Sequence, residues 1–171
     1  SGIHSNGYTL VRAVLNRLGL SLNDTAPFEV EDGRIVRWTE GDLTIGEVLL
    51  NPTMIYVDPV INLVLACRDG SGPCESEDIK AIAHITGGGL SNLLRVHDTL
   101  GWHIDEPMPV HPEFSWIAEV GSVKSREMHR TFNMGMGMIV AVSKEVSDDV
   151  AVWLSNRLPG TRKVGSVTDS G

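Results

Sequence analysis

Three short segments carry residue types that can do chemistry: "HSNG" from His4 to Gly7, "HITGGG" from His84 to Gly89, and "RTFNMGMGM" from Arg130 to Met138. In the first two, a loop of small groups leads into a helix. There the orphan N–H donors and the helix dipole both favour an anion such as phosphate. Gly87, Gly88 and Gly89 let the backbone approach a ligand closely, or adopt a positive φ without strain. His4 and His84 are imidazoles able to handle protons near neutral pH. Each feature also has a plain structural reading. A GGG between strand and helix is a common turn, and the glycines of "GMGM" serve equally as packing notches. His4 before a helix cap is ordinary, and His84 on an alternating strand fits a satisfied, semi-buried histidine. No His or Cys pair has metal-ligand spacing, and neither a GxSxG elbow, a GxxxxGK[ST] loop nor a GxGxxG after a strand is present.

The elements that must position these residues follow from periodicity. Leu10, Val14 and Leu18, with Val11 and Leu15 beside them, predict a helix over Tyr8–Leu18, capped by Ser5 or Asn6 and stopped by Gly19. "FEVEDGRIVRW" reads as a surface hairpin turning at Asp32-Gly33. Thr44 and Glu47 have capping-box spacing ahead of Ile45, Val48 and Leu49. Asp58-Pro59 reads as an N-cap with proline at the first helical position, and Val60, Leu63, Val64 and Cys67 mark one face. "IKAIAHIT" alternates as a strand, and Leu90, Leu93, Leu94 and Val96 give the following helix its apolar side. A strand over Trp102–Asp105 precedes helices around Glu113–Glu119 and Ser125–Arg130. "NMGMGMIVAVS" reads as one buried strand. Ser147 reads as the cap of a helix that Pro159-Gly160 ends, and "RKVGSVT" as a closing edge strand. No internal repeat or linker interrupts this order. Mixed helices and strands predict an α/β (α+β) fold, a layered α/β/α sandwich with a mixed sheet, over a single domain of residues 1–171.

Composition bounds the function. The 171 residues are 42% hydrophobic with six histidines and two cysteines, and the formal net charge is −8. The acidic balance argues against a nucleic-acid surface, and no apolar run is long enough for a membrane span. Cys67 on an apolar helix face and Cys74 in a Gly/Pro loop read as two free thiols of a reducing cytoplasm.

Taken together and in this order, the segments resemble the C-terminal domain of the phosphoribosylformylglycinamidine cyclo-ligase (aminoimidazole ribonucleotide synthetase) family. "SGIHSNGYTLVR" looks like that family's "SGLHSNGYSLVR", and "NPTMIYVDPV" is similar to its "EPTRIYV" segment. "AHITGGG" and "RTFNMGMGM" look like its two other signature loops. The likeness runs from about Ser1 to Val142. "FEVEDGRIVRW" and the region from Thr99 to His111 do not follow the pattern.

The resemblance implies an ATP-dependent ring closure in purine synthesis, from formylglycinamidine ribonucleotide to aminoimidazole ribonucleotide through an iminophosphate. It implies that ATP and Mg²⁺ are held mainly by an N-terminal domain preceding this chain, and that this chain is the substrate-side, C-terminal domain, inactive alone. Carried over by motif, His4, Asn6 and His84 are the catalytic candidates. Ser5, Gly7, Thr86, Gly87, Gly88, Gly89, Arg130, Asn133, Gly135 and Gly137 are the candidates for substrate and phosphate binding. A cytoplasmic homodimer, with no nucleic acid, membrane or metal ligand in this chain, completes the expectation. A selenophosphate synthetase, a formylglycinamidine ribonucleotide synthetase and a non-catalytic phosphate-binding module are the competing readings.

Overall fold

A computed structural model describes residues 1–31 and 33–169. In chain order the elements are α1 (Tyr8–Leu18), α2 (Ile45–Leu49), α3 (Val57–Asp69), β1 (Ile79–His84), β2 (Gly101–Ile104), α4 (Pro112–Gly121), α5 (Ser125–Thr131), β3 (Met138–Val142), α6 (Ser147–Ser155) and β4 (Gly165–Thr168). Short 3-10 turns precede β1, follow it at Gly89–Arg95, and precede α6. Helix and strand are thus mixed, as the patterning predicts. The residues fall into two compact units: Ser1–Met54 with Ile85–Asn92 and Met108–Gly137, and Ile55–His84 with Leu93–Pro107 and Met138–Gly171.

The first unit is built on the apolar stripes of α1, α2, α4 and α5. Val11, Val14 and Leu15 pack with Ile45, Leu49, Phe114, Ile117, Met128 and Phe132, and Ile3 joins them ahead of α1. α1 stops where expected, because Gly19 takes the left-handed conformation at φ +67° and returns its N–H to Asn16 and Leu15. Its start differs from expectation. The cap residue is Gly7, at φ +74°, and neither Ser5 nor Asn6 provides a side-chain cap. The Thr44–Glu47 capping box of α2 forms as predicted.

The hairpin over "FEVEDGRIVRW" is not found among the described residues, and Asp32 of its turn lies outside them. N–H groups in this stretch and at Thr39 go instead to the side chains of buried Glu47 and half-buried Asn51. Trp38 and Thr39 N–H each donate to Glu47 Oε1 at 3.0 Å, and Val36 N–H donates to Asn51 Oδ1 at 3.0 Å. Glu47 is fully buried, and Thr44 N–H, the Thr44 hydroxyl and Arg37 Nε also donate to its carboxylate. Burial alone would raise its pKa, but the bonds from Thr44, Trp38 and Thr39 outweigh that and hold the carboxyl far below its ordinary range.

In the second unit, Leu63 and Cys67 of α3 pack with Val150 and Leu154 of α6, against Ile79, Val140 and Val142 of the strands. α3 begins at Val57 with Tyr56 as its cap, so Asp58 sits in the first turn instead of capping it. Likewise Ser147 is the first residue of α6, its hydroxyl donating to Lys144 O, and α6 ends at Ser155, ahead of Pro159. In place of one mixed sheet, the described strands form two two-stranded ladders, both antiparallel. β1 pairs with β3, His84 opposite Met138 and Ile79 opposite Val142, with an irregularity between Ile79 and Ala81. β2 pairs with β4, Gly101 opposite Thr168. A Cβ on Gly165 would run into the His103 carbonyl, so this glycine permits the second ladder.

Candidate functional site

The first unit brings the three sequence-marked loops together. The loop Ser1–Gly7 is fixed from below by Tyr8 at the start of α1, whose hydroxyl donates to the carbonyls of His4, at 3.2 Å, and Leu49. Burial raises the Tyr8 pKa, partly offset by Arg12, so this phenol stays a donor. His4 is 6% exposed and adopts φ +60°, a conformation few non-glycine residues accept. Ser5 is exposed, and Asn6 and Gly7 are half-buried.

The second loop folds on itself. Gly89 N–H donates to the Thr86 carbonyl at 2.9 Å, and Ser91 N–H and hydroxyl donate to the Gly88 carbonyl at 3.2 and 2.6 Å. The buried Asn92 closes the turn, its Nδ2 donating to the carbonyls of Gly87 at 3.2 Å and Gly89 at 2.6 Å. All four carbonyls from Thr86 to Gly89 are therefore engaged internally. What this turn has left to offer a ligand is its N–H face, at Gly87 and Gly88. Gly88 and Gly89 take φ of +100° and +55°, which glycine alone adopts freely.

The third loop corrects the expectation of one long strand. Asn133 to Gly137 form a turn, and β3 starts only at Met138, half-buried along its length. The reason is local. Asn133 Oδ1 accepts from Gly135 N–H at 2.8 Å, and Met134 and Gly135 have φ of +48° and +91°, which no strand accommodates. Gly135 passes so near Pro109 that a Cβ would stand 2.8 Å from its carbonyl oxygen. Gly137 is buried, and its carbonyl accepts from Ile85 N–H at 2.9 Å.

Glycines let the loops touch one another. A Cβ on Gly7 would collide with the Phe132 ring, and one on Gly89 with the carbonyls of His129 and Phe132. A Cβ on Gly87 would stand 3.2 Å from Asn6 Oδ1. Asn133 Nδ2 donates to the Gly2 carbonyl at 2.8 Å, and the Ser1 nitrogen to the Gly135 carbonyl at 2.8 Å. Beneath Gly2, Glu113 is fully buried and receives both Arg34 guanidinium nitrogens, at 2.9 and 2.7 Å. Burial, and then the Arg34 charge, lower the pKa of His111, the cap residue of α4.

Of the expected site residues, His4, Ser5, Asn6, Gly7, Thr86, Gly87, Gly88, Gly89, Asn133, Gly135 and Gly137 belong to these contiguous loops of one unit. Arg130 is exposed in the last turn of α5. His84 ends β1 in the other unit, exposed, with its ring edge-on to Tyr56 at 5.8 Å. Asn92 and Phe132 are parts of the arrangement that pattern reading missed. The spacing of Asn92 from the glycines was visible; nothing local marked Phe132 as the wall against Gly7. Among the described residues, no three His, Cys, Asp or Glu side chains are grouped to hold a metal ion. Among the same residues, no helix is long and apolar enough to cross a membrane.

These loops can be set beside known proteins. The family profile described as "AIR synthase related protein, C-terminal domain" matches residues 1–171. A phosphoribosylformylglycinamidine cyclo-ligase of Methanopyrus kandleri is 43% identical over 158 residues, covering 92% of this chain and 39% of that protein. A trifunctional purine biosynthetic protein adenosine-3 of Drosophila melanogaster is 42% identical over 153 residues, covering 88% of this chain and 10% of that protein. The chain thus spans about two fifths of one relative and a tenth of the other. With the match running from the "HSNG" loop through both glycine loops to the last residue, the chain belongs to the family of AIR synthase related protein C-terminal domains.

Proposed function

We propose that this chain forms the substrate-side part of an ATP-dependent cyclo-ligase that converts formylglycinamidine ribonucleotide to aminoimidazole ribonucleotide in purine biosynthesis. In that reaction ATP phosphorylates the formamide oxygen, an amidine nitrogen of the same molecule attacks the formyl carbon, and phosphate leaves as the ring closes. An amide oxygen leaves poorly until phosphorylated, and attack within one bound molecule gains from orientation. The observation that carries the reading is the Thr86–Gly89 turn, with its carbonyls engaged internally and its amides at Gly87 and Gly88 left for a ligand. Those amides take the ribose phosphate of the substrate. Asn6, across from Gly87, and His4 orient the formamide, and Asn133 holds the loop carrying Gly135 and Gly137 as the opposite wall. His84 and Arg130 enter as further polar groups on the strength of the motif alone.

Among the described residues, no three His, Cys, Asp or Glu side chains are grouped to hold Mg²⁺. The reading assigns ATP and its metal to a further domain of the same polypeptide. The lengths of the relatives support it, since this chain covers 39% and 10% of them. The α/β/α layering, the homodimer and the cytoplasmic location rest on the family resemblance.

The test uses the full-length enzyme. It should form product only with both ATP and formylglycinamidine ribonucleotide present. Gly87→Val is the informative variant, because Gly87 has an ordinary φ while Gly88 at +100° would add backbone strain. It should raise KM for the ribonucleotide by about tenfold or more, a loss of ~1.4 kcal/mol, and leave KM for ATP unchanged. Unaltered ribonucleotide KM in a folded variant removes the phosphate from this loop. Ribonucleotide binding without turnover would return the chain to a binding module.

A further inference from the structure

Cys67 and Cys74 take no part in the loops described above, and the structure places them side by side. α3 ends at Asp69, and Gly70 turns the chain at φ +78°. The N–H groups of Gly70, Ser71 and Gly72 all return to the Ala66 carbonyl, those of Ser71 and Gly72 at 2.9 and 2.8 Å. This triple return folds the connecting loop back over the end of its own helix. Gly72 is what allows it, since a Cβ there would stand 2.5 Å from the Cys67 nitrogen and 2.7 Å from the Ala66 carbonyl carbon. Pro73 then sets the direction in which Cys74 leaves the turn.

The two sulfurs end 3.4 Å apart, both as free thiols. A disulfide bond is ~2.0 Å long, so about 1.4 Å separates this contact from a bond. Cys67 is 2% exposed in the cluster with Leu63, Val150 and Leu154, whereas Cys74 is half-buried and reachable from outside.

We propose that Cys67 and Cys74 form a redox-active dithiol that a hydroperoxide converts to an intramolecular disulfide. The Cys74 sulfur, as thiolate, attacks one peroxide oxygen. The O–O bond breaks, and the other oxygen leaves as an alcohol, or as water when the oxidant is hydrogen peroxide. The Cys67 sulfur then attacks the Cys74 sulfenic sulfur, its proton passing to the departing hydroxyl, which leaves as water. Two thiols lose two electrons and two protons in all, and the peroxide gains them. Burial, the adjoining Cys67 thiol and the carboxylates of Asp78 and Glu75 push the Cys74 thiol up to about 12. The reduced pair is therefore slow to react at neutral pH, and excess peroxide is needed to convert it. The crosslink ties the end of α3 to the segment that leads into β1.

The full chain treated with excess hydrogen peroxide, capped with iodoacetamide and mapped by mass spectrometry tests the proposal. The expected product has lost two hydrogens across Cys67 and Cys74, carries no cap on either, and is restored by dithiothreitol. Its Tm should exceed that of the reduced protein, because the crosslink restricts the unfolded chain. Cys74→Ser, at the half-buried position, should lose both the mass change and the Tm rise. Caps on both cysteines after oxidation would overturn the proposal. So would sulfinic acid at Cys74 beside a capped Cys67, or a Tm rise that persists in Cys74→Ser. Should that variant not fold, the peptide map of the unsubstituted chain decides the matter alone.

Discussion

His4 has a backbone at φ +60° and a side chain almost out of solvent. Asn and Gly accept the left-handed region most readily, so His4→Asn removes the imidazole while keeping the loop's backbone. If His4 orients or protonates the formamide in the proposed reaction, that variant of the full-length enzyme loses about 10²-fold in kcat, with substrate KM nearly unchanged. Steady-state kinetics separate this from a loop-holding role, for which a folded His4→Asn enzyme keeps its kcat. Other single residues were read correctly by type but not by task. Ser5 and Asn6 have the chemistry of helix caps, yet Gly7 holds the cap position, because Phe132 leaves no room there for a Cβ. Asn133, expected as a substrate-binding residue, ties Gly135 N–H and the Gly2 carbonyl into one support.

Among the elements, the glycine turns decide what the strands and helices can present. Gly7 and Gly19 flank α1 with nearly equal φ, +74° and +67°, but their surroundings differ. A Cβ on Gly19 meets nothing within 4 Å, whereas one on Gly7 strikes the Phe132 ring. Gly19→Ala should therefore cost only the left-handed penalty, about 1 kcal/mol. Gly7→Ala should cost about 2–4 kcal/mol, as overpacking adds to that penalty. Urea unfolding of the two variants measures the difference, and equal costs would mean that the Phe132 contact has no energetic weight. Most helices were legible to within a residue or two because their apolar periodicity is strong. The "NMGMGM" stretch was not, since its alternation imitates a strand while Asn133 and two positive φ values make it a turn. The expected hairpin failed for the opposite reason: its residues suit a strand, but Glu47 and Asn51 take the N–H groups that a partner strand would need.

For the molecule as a whole, the buried carboxylate of Glu47 links stability to acid. Glu47 has a pKa held far below its ordinary value of 4.5 in the folded state, so the unfolded chain binds its proton more readily. Its contribution to stability is complete above pH 4.5 and is lost progressively as the pH falls toward the folded pKa. Thermal unfolding followed from pH 7 downward should show Tm dropping below about pH 4.5, and Glu47→Gln should flatten that acid limb while lowering Tm at neutral pH. An acid limb as steep in the variant as in the parent would assign the transition to other groups. The sequence by itself determined most of the α-helices, the Thr44–Glu47 capping box, β1 and the positions of the three glycine-marked loops, since each is written in spacing a few residues long. Only the tertiary structure decided that Asn133 reaches Gly2 across 131 positions, that Arg34 neutralises Glu113 across 79, and that Cys74 lies against Cys67. Those pairings depend on which surfaces meet once side chains are packed, and no local periodicity records that.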